Sequence, residues 1–309
     1  MYSFIKFRRV FSVEIRDFSF GRDKLKVRVC VADESGFNVA SVIVYGKTEA
    51  VVIDTQWTRP NALRVAAEVM DLQRKLTTIY VTHAHPDHYW GTAYIAEQFP
   101  DVKCIAPADV CHTINTQFCD KLEHWEEVIG KTRMCYKTVE YQPIEGDTIK
   151  VDGEDIKIFF NRMGDLRYNT LVWIPSIKVA YGSDIVFNEA HPFTCEVSKK
   201  ERALWMEDID FIEALGPDVV IPGHAKHGTP FDYTCLDFMR KYLEDTEWCF
   251  DNTKTAADFF YEMCKRTPDA SLVMLSNDMN ASVFKGGREW NWDDEEVKSI
   301  EETRAEDIK

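Results

Sequence analysis

The stretch Thr82-His83-Ala84-His85-Pro86-Asp87-His88 decides how this chain is read. It closes the β-rich run Thr77-Thr78-Ile79-Tyr80-Val81-Thr82, so the histidines begin where a buried strand ends. Alternate residues of an extended loop aim the same way, so His83 and His85 can face one ion. Neutral imidazole nitrogen and carboxylate oxygen are both good ligands for zinc. A single metal would use three of the four groups. Use of all four invites two metals, with His83 and His85 on one and Asp87 and His88 on the other. The bland alternative is a polar loop in which Asp87 caps the next helix; isolated histidines would warrant it better than this density does.

Upstream, residues 25–55 hold the apolar runs KVRVCVA, VASVIVYG and EAVVIDT, separated by turn formers such as Asp33-Glu34-Ser35-Gly36 and Gly46-Lys47. They read as neighbouring strands. Residues 61–74 follow Pro60 with apolar positions at Leu63, Ala66, Ala67 and Met70, a helical spacing. Downstream, LVWIP and KVAYGSD read as strands, residues 200–215 as a helix, and DVVIPGH as another strand. From about 232 the pattern turns helical to about 285, and residues 286–309 read as an acidic tail. Residues 1–285 therefore read as one layered α/β domain, with no internal repeat or linker.

The 309 residues are 45% hydrophobic and 29% charged, which fits a globular protein. A formal charge of −15 argues against nucleic acid or an anionic membrane as partner. A small-molecule substrate is expected instead. Nine cysteines, odd in number and without a C-x-x-C pair, point to reduced thiols and a cytoplasmic protein. The start, MYSFIKFRRV, lacks a signal-peptide apolar run, and no stretch reads as membrane-spanning. No G-x-S-x-G elbow, P-loop or dinucleotide-binding glycine pattern is present, so serine hydrolase, NTPase and dehydrogenase readings have no anchor.

The H-x-H-x-D-H pattern after a strand resembles the signature of the metallo-β-lactamase superfamily, and other elements of that family occur in order over about residues 40–230. Asp54 in VVIDT looks like its early strand-end aspartate, Asp184 in VAYGSD like its metal-bridging carboxylate, and His224 in VVIPGH like its final histidine. One element departs. Where the family places a histidine after glycine, this chain has Asp165 after Gly164, a substitution similar to that in the alkylsulfatases.

The resemblance implies a four-layer αββα sandwich with a helical C-terminal extension and a site for two divalent metal ions, zinc or, alternatively, manganese or iron. It implies His83, His85 and Asp165 on one metal, Asp87, His88 and His224 on the other, and Asp184 bridging. Asp87, Asp165, Asp184 and a shared hydroxide would make such a cluster formally neutral. The extra carboxylate makes the first metal a weaker Lewis acid and shifts its ligands toward oxygen. Asp54 would orient the metal-binding loop from behind, and His227 would do the same for its neighbours.

Trp57, Tyr89, Trp90 and His191 are candidates for a substrate pocket. His112 and His124, in a helical region, read as surface or satisfied histidines. The implied activity is hydrolysis of a small cyclic ester or amide, or of a related ester or thioester, with Asp87 and Asp184 holding the attacking hydroxide in line. A mononuclear iron dioxygenase and a catalytically inactive binder of the same fold are the alternatives.

Overall fold

The computed structural model describes residues 13–21 and 24–289. From residue 290 onward, the acidic tail lies outside the described residues.

Two sheets stack face to face. The first has seven strands in the order β1 to β7: Glu14–Ser19, Lys26–Val31, Ala40–Tyr45, Glu49–Ile53, Lys75–Tyr80, Lys103–Ala106 and Gln142–Pro143. Pairs from β1 to β4 are antiparallel and those from β4 to β7 parallel. The second sheet runs β12-β11-β10-β9-β8, formed by β8 Thr148–Val151, β9 Glu154–Arg162, β10 Asn169–Ile174, β11 Val179–Asn188 and β12 Val219–Ala225. Only its β11–β12 pair is parallel.

The alternation of β-branched residues explains the stacking. Val27, Val29, Val42, Val44, Val51 and Ile53 turn inward and meet Ile156, Ile158, Val172, Ile174, Tyr181 and Ile221 of the other sheet. Their neighbours Cys30, Ile43 and Val52 point the opposite way, into the helices. With both faces covered, the architecture is helices, sheet, sheet, helices.

Helix α1 spans Arg59–Leu72, earlier at both ends than the periodicity predicts. Thr58 is an extended N-cap, Pro60 sits in the first turn, and Gln73 takes a left-handed conformation that stops the helix. Its buried face is also one residue off the expectation: Ala62, Val65, Ala66 and Val69 face the core, while Leu63 and Met70 are exposed. Short helices α2 (Pro86–Tyr89) and α3 (Thr92–Ala96) follow β5, and the long α4 covers Ala108–Ile129. On the far face, α5 (Lys199–Ala214) opens with a capping box between Ser198 and Glu201 and buries Trp205, Ile209 and Ile212.

The C-terminal helices α6 (Thr234–Asn252), α7 (Ala256–Arg266) and α8 (Asp278–Gly286) form the expected extension. α6 joins the main core through Leu236, Met239 and Leu243. Its Tyr242 and Cys249 share a smaller core with Phe259, Met263 and Ala281. Among the described residues, no helix is long and apolar enough to cross a membrane.

Candidate metal centre

The centre forms where the C-terminal ends of β5 and β12 meet the middle of β11. Past Tyr80 the chain bends at His83 and Ala84 and is extended at His85 (φ −76°, ψ 138°), because Pro86 disfavours helix in the residue before it. His83 and His85 reach the same group of donors. Pro86 then starts α2, which turns Asp87 and His88 toward the same point from one helical turn.

The second sheet supplies the rest. Asp165 sits in the β9–β10 loop, its backbone N–H donating to the Asp184 carbonyl at 3.3 Å. Asp184 lies mid-β11, just after a break in the register with β12, where Ser183 adopts a left-handed φ of 47°. Two glycines make room for it. A Cβ on Gly164 would lie 2.6 Å from the Asp184 carbonyl oxygen, and one on Gly223 would lie 2.2 Å from Asp184 Oδ1.

All seven side chains expected to ligate come together, buried, in two groups. One is His83, His85, Asp165 and Asp184; the other is Asp87, His88 and His224. In each group the potential donor atoms lie within 4.8 Å of one another. Asp184 joins the two. Its Oδ2 is 3.3 Å from His83 Nε2 and from His224 Nε2, and its Oδ1 is 3.1 Å from His88 Nε2. His85 presents Nδ1 to Asp165 Oδ2 at 3.3 Å, and His224 Nε2 is 3.3 Å from Asp87 Oδ2.

The outer nitrogen of each imidazole is held from behind. His88 Nδ1 meets Asp54 at 2.8 Å, His224 Nδ1 meets the Phe37 carbonyl at 2.7 Å, and His85 Nε2 meets Glu196 at 2.9 Å. His83 Nδ1 lies 3.0 Å from the Thr82 hydroxyl and 3.3 Å from that of Ser183. Such outer partners fix which nitrogen faces a metal. Asp54, fully buried, also takes the Thr82 backbone N–H at 2.9 Å and the Tyr181 hydroxyl at 2.6 Å.

The donor set fits divalent cations. His83 Nε2, Asp87 Oδ2, Asp165 Oδ1 and Asp184 Oδ1 are buried without a hydrogen-bond partner, which is costly unless something else satisfies them. The proton balance points the same way. Burial opposes charge on His85, but Asp165 and Glu196 outweigh it and hold its pKa well above the ordinary histidine value. Burial likewise opposes charge on His88, and Asp184, Asp87 and Asp54 outweigh it. Burial would raise Asp184, yet His88, His224 and His83 hold it well below the usual carboxylate range. Burial pushes Asp165 up to about 7. Buried carboxylates and imidazoles this close compete for protons. A divalent ion would displace those protons.

A cavity of about 480 Å³, counting the space at its open mouth, leads to this cluster. Trp57 lines it as expected, beside Phe37, Phe193 and Trp125. Their ring centroids stand 5.0 Å (Phe37–Trp57), 5.6 Å (Phe37–Phe193) and 5.6 Å (Trp57–Trp125) apart, forming a continuous aromatic wall. Lys121 and Glu196 complete the lining on the cluster side.

Three pocket candidates lie elsewhere. Tyr89 and Trp90 belong to the buried core, because the turn that aims Asp87 and His88 at the cluster sends the next two residues inward. His191 turns into the C-terminal helices, where its Nδ1 meets the Tyr242 hydroxyl at 2.8 Å. His227 is likewise not behind any ligand; its Nε2 lies 2.9 Å from the Ala32 carbonyl and 3.0 Å from that of Val31, bracing the end of β2. His112 and His124 lie on α4, away from the cluster.

Lys121, Glu196, Trp125, Phe37 and Phe193 were not singled out from sequence. Lys121 alone had a legible signal: it interrupts the apolar stripe Val110, Ile114, Trp125, Ile129 of α4.

The metallo-beta-lactamase superfamily profile matches residues 35–224. Among solved structures, a metallo-β-lactamase from Pontibacter korlensis is 18% identical, with a TM-score of 0.56 over 76% of this chain and 100% of that one. The DIM-1 metallo-β-lactamase exposed to ceftazidime is 19% identical, with a TM-score of 0.55 over 75% of this chain and 97% of its own. FIM-1 from Pseudomonas aeruginosa, in a mono-zinc form, is 16% identical, with a TM-score of 0.54 over 75% of this chain and 96% of its own. At these identities the likeness is one of fold.

Proposed function

The chain belongs to the metallo-β-lactamase superfamily, and from that membership we propose that it is a metal-dependent hydrolase of a small ester, lactone, thioester or lactam. The observation that carries this reading is the convergence of seven buried donor side chains, drawn from both sheets, on one end of an aromatic-walled cavity. Zinc is the first choice of metal, with manganese or iron suited to the oxygen-rich ligand group around Asp165. Bound there, such cations supply Lewis acidity toward a carbonyl and water acidic enough to attack at neutral pH.

The chain's own residues do the rest. Asp87 and Asp184 accept hydrogen bonds from the attacking water and hold it in line. Phe37, Trp57, Trp125 and Phe193 pack the apolar body of the substrate and exclude bulk water. All nine cysteines are free thiols, which suits a reducing compartment such as the cytoplasm.

The test is a hydrolysis screen of zinc-loaded protein across lactones, lactams, esters and thioesters. Turnover that is lost on chelation and restored by the metal supports the reading. Two bound cations without turnover on any substrate class would make the protein a binder, and one iron per chain with oxygen uptake would make it an oxygenase.

A further inference from the structure

Two buried charged side chains grip the loop that carries His83 and His85. The Glu196 carboxylate lies 2.9 Å from His85 Nε2. Lys121 Nζ donates to the Ala84 backbone carbonyl at 3.0 Å. The two come from unrelated parts of the chain, Lys121 from α4 and Glu196 from the segment between β11 and α5. Both also line the cavity. We propose that Glu196 and Lys121 are positioning residues, a two-point clamp that locks His85 with its Nδ1 facing the first metal position. This rests on the metal reading above but on no particular substrate.

His85 differs from the other three rings. His83, His88 and His224 turn Nε2 toward the cluster, whereas His85 turns Nδ1. Nδ1 lies next to the ring carbon that joins the side chain, so coordination through it tolerates little swing of the ring. A carboxylate is an acceptor only, so its bond to Nε2 places the hydrogen there and leaves the lone pair on Nδ1. The backbone needs the same control. The Ala84 carbonyl belongs to the peptide plane that leads into His85, and Lys121 holds that plane. Pro86 restricts the backbone on the other side. His85 is thereby fixed at its ring and at both flanking peptides.

The experiment uses the full chain titrated with Zn²⁺ and Co²⁺ alone, comparing parent, Glu196→Ala, Glu196→Gln and Lys121→Met. Chelator competition reads the affinity of each binding step, visible absorption of Co²⁺ reads its geometry, and metal-free thermal unfolding reads general damage. The clamp predicts that Glu196→Ala weakens one of the two steps by about 10- to 100-fold, leaves the other within about 3-fold, and changes the cobalt spectrum of the weakened step. Glu196→Gln keeps an oxygen that accepts from Nε2–H and should recover most of the loss, with Lys121→Met intermediate.

Parental affinity in Glu196→Ala overturns the clamp. Equal weakening of both steps overturns it too, because Glu196 would then be a general support. A Glu196→Gln variant as weak as Glu196→Ala overturns orientation as the cause. If the parent binds no cation, the metal reading falls with the clamp; if it binds two and Glu196→Ala matches it, only the clamp falls.

Discussion

Replacing Asp54 with asparagine isolates one hydrogen bond that matters more when metal is bound than when it is not. Asp54 is fully buried, and its Oδ2 faces His88 Nδ1 at 2.8 Å, the Tyr181 hydroxyl at 2.6 Å and the Thr82 hydroxyl at 2.8 Å, the last of which can donate to Oδ1 at 3.1 Å instead. Oδ1 takes the Thr82 N–H at 2.9 Å. Asparagine keeps the shape but must turn an NH₂ toward one of these sides. With its oxygen left on Thr82, the NH₂ faces His88 and Tyr181.

Tyr181 has a remedy. Its hydroxyl can accept from the amide and send its own hydrogen to the Ala40 carbonyl, 3.2 Å away. His88 has one only without metal, when the ring, no longer facing the Asp54 carboxylate, can release its Nδ1 proton and accept there while Nε2 keeps its own. Once Nε2 binds a cation, Nδ1 must carry the hydrogen and confronts another donor.

The loaded state is therefore left with a buried N–H facing another donor where the metal-free state keeps a neutral hydrogen bond, a difference of about 1.5–3 kcal/mol. That corresponds to roughly a 10- to 150-fold loss of affinity at the His88 position. Competition of Asp54→Asn and parent against a chelator of known affinity measures it. An affinity within about 3-fold of the parent would show that Asp54 does not orient His88 for metal.

Other outcomes follow from the same geometry. Asp165→Ala removes a donor from the first ligand group, and elemental analysis after dialysis should find about one cation fewer per chain; an unchanged content refutes a ligand role. Gly223→Ala would drive a methyl group to 2.2 Å from Asp184 Oδ1 and 2.5 Å from the Ser183 carbonyl carbon, and should abolish binding of both cations, a result negated by parental stoichiometry. Burial depresses His191 to about 4, so the folded state binds fewer protons than the unfolded chain below about pH 6.5. Stability from this group is full above pH 6.5 and is lost as pH falls toward 4, by at most about 1.4 kcal/mol per unit. Denaturant unfolding of His191→Asn at pH 7 and pH 5 should show a smaller acid loss than the parent, and identical losses would exclude this origin.

Much of the site was legible because its residues cluster or end strands. His83 to His88 declare themselves by density, whereas Asp184 and His224 were readable only through the resemblance to the family. Asp165 was placed the same way, through the glycine before it, and Gly164 is indeed held against the Asp184 carbonyl. Glu196 had no such context: one carboxylate in TCEVSKK becomes meaningful only when the β11–α5 segment returns over His85. Tyr89 and Trp90 misled for the opposite reason. Neighbours in sequence on a helical turn point to different sides, so adjacency to a ligand does not place a residue in the cavity. The face of α1 slipped by one residue because Ala66 fits either stripe, and only the packing of the main core selects Val65 and Val69.

The donor side chains arrive from both layers of the sandwich, with His83 to His88 following the first sheet and Asp165, Asp184 and His224 belonging to the second. A cation held between them is a rivet through the seam, joining stretches that the unfolded chain keeps far apart. Its binding energy counts as folding energy, about 4 kcal/mol when free metal stands a thousandfold above the dissociation constant. A sheet interface fastened this way can accumulate weakening substitutions in its valine layers as long as the ions are supplied. In such a lineage, metal starvation would deplete the folded protein itself, and the loss of catalysis would follow from that.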